Sequence, residues 1–109
     1  QNVLRTAALL RDEAEVLDAL VDAELGGAEG RADDAGRDSI SLDRFAELHP
    51  ALRRLVLQRL ADRAAGRPVP GAANHADEVA TLRRTGTAML DLGSGVRAIA
   101  ERGVLHAER

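Results

Sequence analysis

From Val3 to Val21, apolar residues recur at alternating steps of four and three: Val3, Ala7, Leu10, Ala14, Leu17 and Val21. That spacing draws one stripe along an α-helix and predicts helix over 3–25. Asp12, Glu15, Asp18 and Asp22 fall largely off the stripe, and Gly26-Gly27 ends the element, because glycine takes the left-handed conformation at a helix C-terminus cheaply. Residues 26–39, GGAEGRADDAGRDS, lose the period altogether and predict a mobile loop inserted between two helices.

Ile40 and Leu42 then alternate with Ser39, Ser41 and Asp43, which predicts a short extended approach to a brief helix ending at Leu48, with Asp43 as its cap. His49 is pushed out of the helical region by Pro50, and Pro50 suits the first turn of a helix over about 50–65. Leu52, Leu55, Val56, Leu57 and Leu60 make that helix apolar on most sides, so it is the expected centre of the core; Gly66 and Pro68 end it. Asn74 is the expected cap of a helix over about 75–84, with Asp77 and Glu78 in its first turn and Gly86 beyond it. The period then changes. Residues 87–92, 96–101 and 104–108 read as strands separated by turns at Gly93-Ser94-Gly95 and Arg102-Gly103, with helix as the alternative for 96–102.

These elements predict a mainly α fold: a small helical bundle with a short C-terminal antiparallel β meander. Residues 1–109 form one domain, with a helical body over 1–85, the loop at 26–39, and a β appendage over 86–109. The chain opens inside its first apolar repeat and its one methionine is Met89, which suggests a domain cut from a larger protein.

Composition narrows the chemistry. Phe45 is the one aromatic residue, so the core is aliphatic and favours close-packed helices over a large pocket. Cysteine is absent, which excludes disulfides, thiolate metal sites and thiol nucleophiles from this stretch and suits a cytoplasmic protein. No apolar run approaches the roughly 20 residues that span a bilayer, so no membrane partner is expected. His49, His75 and His106 lack metal-ligand spacing, Ser39, Ser41 and Ser94 lack a nucleophile-elbow context, and Gly93-Ser94-Gly95 is too short for a phosphate loop. Asp12, Glu13 and Glu15 read as a solvated helix face. No catalytic residue and no cofactor are therefore expected in this chain.

Charge is unevenly placed. Every basic side chain is Arg, and the net charge of −3 divides into −7 for residues 1–49 and +4 for residues 50–109. Arg53, Arg54, Arg59, Arg63 and Arg67 lie within about four helical turns, with Arg83 and Arg84 at the end of the next predicted helix. Guanidinium groups match phosphate oxygens bidentately and stay charged, so nucleic acid is one expected partner of this cluster; packing and ion pairs with the acidic first helix are the other expectation. Without aromatics to stack bases, a nucleic-acid contact here would be to backbone and shape.

At these residues a resemblance enters. LLRDEAEVLDALVD, then ISLDRFAELHPALRRLVLQRLADRAAG, then the helix near Asn74-His75, then MLDLGSGVRAIAERGVLH, together resemble the region that follows the catalytic domain of bacterial tRNA(Ile)-lysidine synthetase, actinobacterial type. The likeness runs from about Leu4 to Leu105 and rests on element order and a diffuse pattern, chiefly LxxLHPALRRLVLQRL. The family's usual Leu-Pro-Gly-Gly turn stands as Leu92-Gly93-Ser94-Gly95, and the aromatic often found before the last glycine is replaced around Glu101-Arg102-Gly103.

That family uses ATP, with magnesium, and free lysine to modify the wobble cytidine of an isoleucine tRNA with a CAU anticodon. Its SGGxDS nucleotide loop belongs to the N-terminal domain and does not occur here. The resemblance thus implies an accessory domain whose partners are tRNA and the catalytic N-terminal domain of the same chain. Arg53, Arg54, Arg59 and Arg63 are the expected phosphate contacts, with Arg83 and Arg84 secondary. The rival expectation is a structural or dimerisation module without nucleic-acid contact, in which the stripe of the first helix packs against another protomer.

Overall fold

A computed structural model of the chain describes residues 3–25 and 38–109, the side chains of 3–6 excepted. The expected Gly26-Gly27 helix stop and the loop over 26–37 lie outside the described residues. Four α-helices are described, α1 (Val3–Leu25), α2 (Leu42–Glu47), α3 (Pro50–Ala65) and α4 (Ala76–Ala80), the last continuing a 3-10 segment, Ala72–His75. Four strands, β1 (Ile40–Ser41), β2 (Thr87–Gly93), β3 (Val96–Glu101) and β4 (Val104–Glu108), form an antiparallel sheet in the order β1-β4-β3-β2.

The architecture is mainly helical with an antiparallel sheet, and that sheet is larger than the expected meander. The extended residues before α2 supply its fourth strand: Ile40 pairs with Leu105 and Ser41 with Val104, and the Leu42 amide donates to the Gly103 carbonyl at 2.8 Å. A strand of two residues has no period of its own, so its partner is invisible in the local pattern. Helix is excluded for 96–102, since β3 pairs on both sides. Asp38 and Ser39, expected in the loop, belong to the body: Asp38 bonds Arg63 and Ser39 is buried.

The helix ends show which local signals prevail. Ser41, not Asp43, caps α2, its Oγ accepting from the Arg44 amide at 3.3 Å. Pro50 does open α3, and His49 caps it, Nδ1 accepting from the Ala51 amide at 3.0 Å. Gly66 closes α3 at φ +73°, a left-handed angle that suits glycine. The helix expected over 75–84 stops at Ala80 and Asn74 caps nothing. There the Thr81 hydroxyl donates to the Glu78 carbonyl at 2.8 Å, a local alternative to the helical ladder.

One core joins helices and sheet. Val56, Leu57, Leu60 and Ala61 of α3 are buried beside Leu42 and Phe45 of α2, Val79 of α4, and the inner sheet face of Val96, Ala98, Ala100 and Leu105. The stripe of α1 joins this core only at its end: Val21 and Leu25 are buried, whereas Ala7, Leu10, Ala14 and Leu17 are exposed. A polar clamp fixes the turn after α3. The Gln58 amide donates to the Val69 carbonyl (2.7 Å) and Asp62 (2.8 Å), Gln58 Oε1 accepts from the Ala73 amide (3.1 Å), and Asp62 accepts from the Val69 amide (2.8 Å).

Phe45 has no solvent exposure and is the largest side chain in the core. Phe45→Ala is therefore expected to cost about 3–5 kcal/mol in a urea melt. Removing the α2 cap by Ser41→Ala is expected to cost about 0.5–2 kcal/mol. A loss for Phe45→Ala no larger than that for Ser41→Ala contradicts a core centred on α2 and α3.

Candidate nucleic-acid interface

The arginines predicted to meet phosphate do not share a face. Residues four apart lie one turn apart, so Arg59 and Arg63 leave α3 on one side. That side carries α1. Arg59 donates to Asp18 at 2.8 Å and also to Asp22, and Arg63 donates to Asp38 at 2.6 Å with Asp22 at 3.6 Å. The hydrogen bond to Asp38 raises the Arg63 pKa above its ordinary value, against a smaller opposing effect of burial.

Arg53 points another way. Its guanidinium donates to the Ala46 and Leu48 carbonyls, the unfilled acceptors at the end of α2, at 3.4 and 3.2 Å, and meets Asp77 at 3.2 Å. Only 16% of its side chain is accessible, and its Nε is buried without a partner. Arg84 has a matching task beyond α4, donating to the Ala80 and Leu82 carbonyls at 2.9 and 2.7 Å and to Asp43 at 3.0 Å.

Arg54, Arg63 and Arg83 are exposed among the six candidates, and two of these have no carboxylate partner among the described residues. Arg54 is exposed and has no hydrogen-bonding or ionic side-chain partner among the described residues. Arg83 is exposed and donates one bond, to the Thr87 carbonyl at 2.6 Å, which leaves guanidinium hydrogens free. Arg67, noted in the sequence beside them, is likewise exposed at the end of α3. A phosphate can meet these three directly; at Arg59 and Arg63 it must first displace carboxylates.

The ion pairs expected with the acidic first helix are formed by Arg59 and Arg63, and Arg44, outside the predicted cluster, adds one more that holds α1 down. Glu24 near its end takes a bidentate pair from Arg44 at 3.0 and 2.8 Å, which raises the Arg44 pKa through that hydrogen bond. The signal was present in the spacing. Asp18 and Asp22 are four apart, as are Arg59 and Arg63, so two charged rows can meet across one helix pair.

A cleft of about 170 Å3 runs between α1 and α3, lined by Leu17, Val21, Leu55, Gln58 and Arg59, with Asp18 and Asp62 at its wall. Both aspartates already accept hydrogen bonds. Among the described residues, no group of His, Asp and Glu is placed to hold a metal ion, and no helix is long and apolar enough to cross a membrane. The chain matches no family model, no curated protein and no solved structure.

Arg53 and Arg54 adjoin in sequence but differ in environment. Arg53→Met is expected to cost about 1–3 kcal/mol of stability, because it strips acceptors at the buried end of α2. Arg54→Gln is expected to stay within about 0.5 kcal/mol. Parallel denaturant melts of the two variants check this, and equal losses would remove the distinction.

Proposed function

We propose that the chain is an accessory domain of the tRNA(Ile)-lysidine synthetase kind, which holds an isoleucine tRNA beside a catalytic domain and takes no part in the chemistry. The observation that carries this reading is the order of elements around the residues that resemble that family. A long helix leads to LDRFAE as α2, then HP as the cap and first residue of α3, then short helical segments, then paired strands turning at Gly93-Ser94-Gly95. ATP and magnesium belong on this reading to the catalytic domain, and the setting is the cytoplasm, where tRNA is modified.

Exposed Arg54, Arg67 and Arg83 are the first phosphate contacts on this proposal, and Arg59 and Arg63 join only where tRNA displaces Asp18, Asp22 and Asp38. A few such contacts supply the non-specific electrostatic part of affinity, with log K falling against log salt at a slope of roughly −0.7 to −0.9 per phosphate. One observation favours the structural-module reading instead: Arg53, Arg59, Arg63 and Arg84 are already bonded within the chain.

Salt titration of tRNA binding separates the two. Replacing Arg54 and Arg83 by Gln is expected to make the slope shallower by about 1–2. Asp18→Asn with Asp22→Asn, which frees Arg59, is expected to tighten binding at low salt. Circular dichroism first establishes that each variant is folded. Unchanged binding in both variants, or no binding at all at low salt, favours the structural module. Incubation with ATP, labelled lysine and tRNA is expected to leave the label free, as the family's nucleotide loop is absent; incorporation above a no-protein control overturns the non-catalytic role.

A further inference from the structure

β2 is a border strand, and among the described residues nothing pairs with its outer side. Which backbone groups line that side follows from the turn. Ser94-Gly95 joins β2 to β3 as a tight hairpin loop, so Gly93 and Val96 close the ladder as a hydrogen-bonded pair. Bonding then alternates along β3, and Ala98 and Ala100 turn their backbone groups to Leu90 and Ala88. The N–H and C=O groups of Thr87, Met89 and Asp91 therefore point away from β3. The Thr87 carbonyl agrees with this direction, since it is taken by Arg83 from outside the ladder.

This border is symmetric about Met89. Thr87 and Asp91 lie two residues to either side, and the three side chains share the sheet face opposite the core, where Met89 stands beside Ile99. Met89 is 56% accessible although Ile99 is buried. Let a second copy run antiparallel with Met89 on the axis. Met89 then pairs with its own copy and Thr87 pairs with Asp91, always through outward-pointing groups. Among registers of this strand, only the one centred on Met89 sets Thr87 opposite Asp91. It brings the cation held at Thr87, Arg83, to the carboxylate of the other copy, and it does so twice.

We propose that β2 is the contact strand of a two-fold dimer, in which the sheets of two copies of this chain join antiparallel across Met89 and are held by two Arg83–Asp91 ion pairs between copies. The groups needed are available. A carbonyl oxygen has two lone pairs, so Thr87 can accept from Arg83 and from the other copy's amide, and Arg83 has further hydrogens to give. Asp91 accepts one bond, from the Gly93 amide at 2.9 Å, while Arg97, across the ladder, approaches Glu108 at 3.9 Å. The contact also closes. A two-fold interface uses the same border of both copies, and β1 at the other border is only two residues long, so no third copy adds. The dimer does not rest on the tRNA reading.

Sedimentation of the chain without RNA tests this. A pairing from Thr87 to Asp91 is small beside the roughly 1,200 Å2 of a standard complex, so dimer is expected to appear only towards about 0.1–1 mM protein. Met89→Pro deletes an outward N–H that bonds nothing within the sheet, and border strands tolerate proline at such positions. It is expected to weaken the dimer at least about tenfold, with the folded circular dichroism spectrum kept. Arg83→Glu alone and Asp91→Lys alone set like charges together and are expected to be monomers. Their equimolar mixture is expected to regain the dimer, because each contact then joins opposite charges; this arm decides the matter where Met89→Pro does not fold. A chain that stays monomeric at about 1 mM, a dimer undiminished by Met89→Pro, or a mixture that stays monomeric overturns the proposal. Binding of tRNA is scored in separate titrations, so failure here leaves the tRNA reading standing.

Discussion

Burial of α3 against two layers at once sets the geometry of the other elements. Val56, Leu57 and Leu60 lie in one core with α2 and α4, while the same helix packs on β3 and β4 through the small side chains Ala98 and Ala100, which permit close approach. A helix so placed has little side left for solvent, and its polar residues are correspondingly committed. Gln58 and Asp62 hold the turn that follows it, Arg53 holds the end of α2, and Arg59 and Arg63 hold α1. Position on the helix, more than residue type, decides what each of these groups does.

This explains why the elements were more legible in the sequence than the site. The limits of α1, α3 and the three C-terminal strands follow from period, from Pro50 and Gly66, and from two glycine-bearing turns, all of which act over a few residues. Ser94 and Arg102 adopt φ of +55° and +52° ahead of Gly95 and Gly103, the arrangement that tight hairpin turns require. What depended on distant partners was not legible. β1 needs β4, and the sheet becomes part of the core only because α3 covers it. The arginine row of α3 looks continuous in the chain, yet the helical rotation sends its members to different neighbours.

Charge asymmetry was legible, and of its two expected uses the ion pairs with α1 are the one the structure describes. An acidic first half and a basic second half suggest an external polyanion. Within the chain the same imbalance is partly answered by the pairing of Asp18, Asp22 and Glu24 with Arg59, Arg63 and Arg44. The opposite charges draw the end of α1 onto the body, while Asp12, Glu13 and Glu15 in its middle have no ionic partner among the described residues.

The borders of the sheet have a further consequence. β1 is two residues long, and β2, at the other side, has its register broken by an irregularity between Asp91 and Gly93, where the Asp91 carboxylate accepts the Gly93 amide at 2.9 Å. At the start of β2 the Thr87 carbonyl is occupied by Arg83. Open strand borders are templates for runaway pairing between molecules, and short strands, bulges and charged side chains blunt them. The chain therefore guards against fibrous aggregation on its sheet side, and Arg83 contributes to that protection whether or not it ever meets a phosphate.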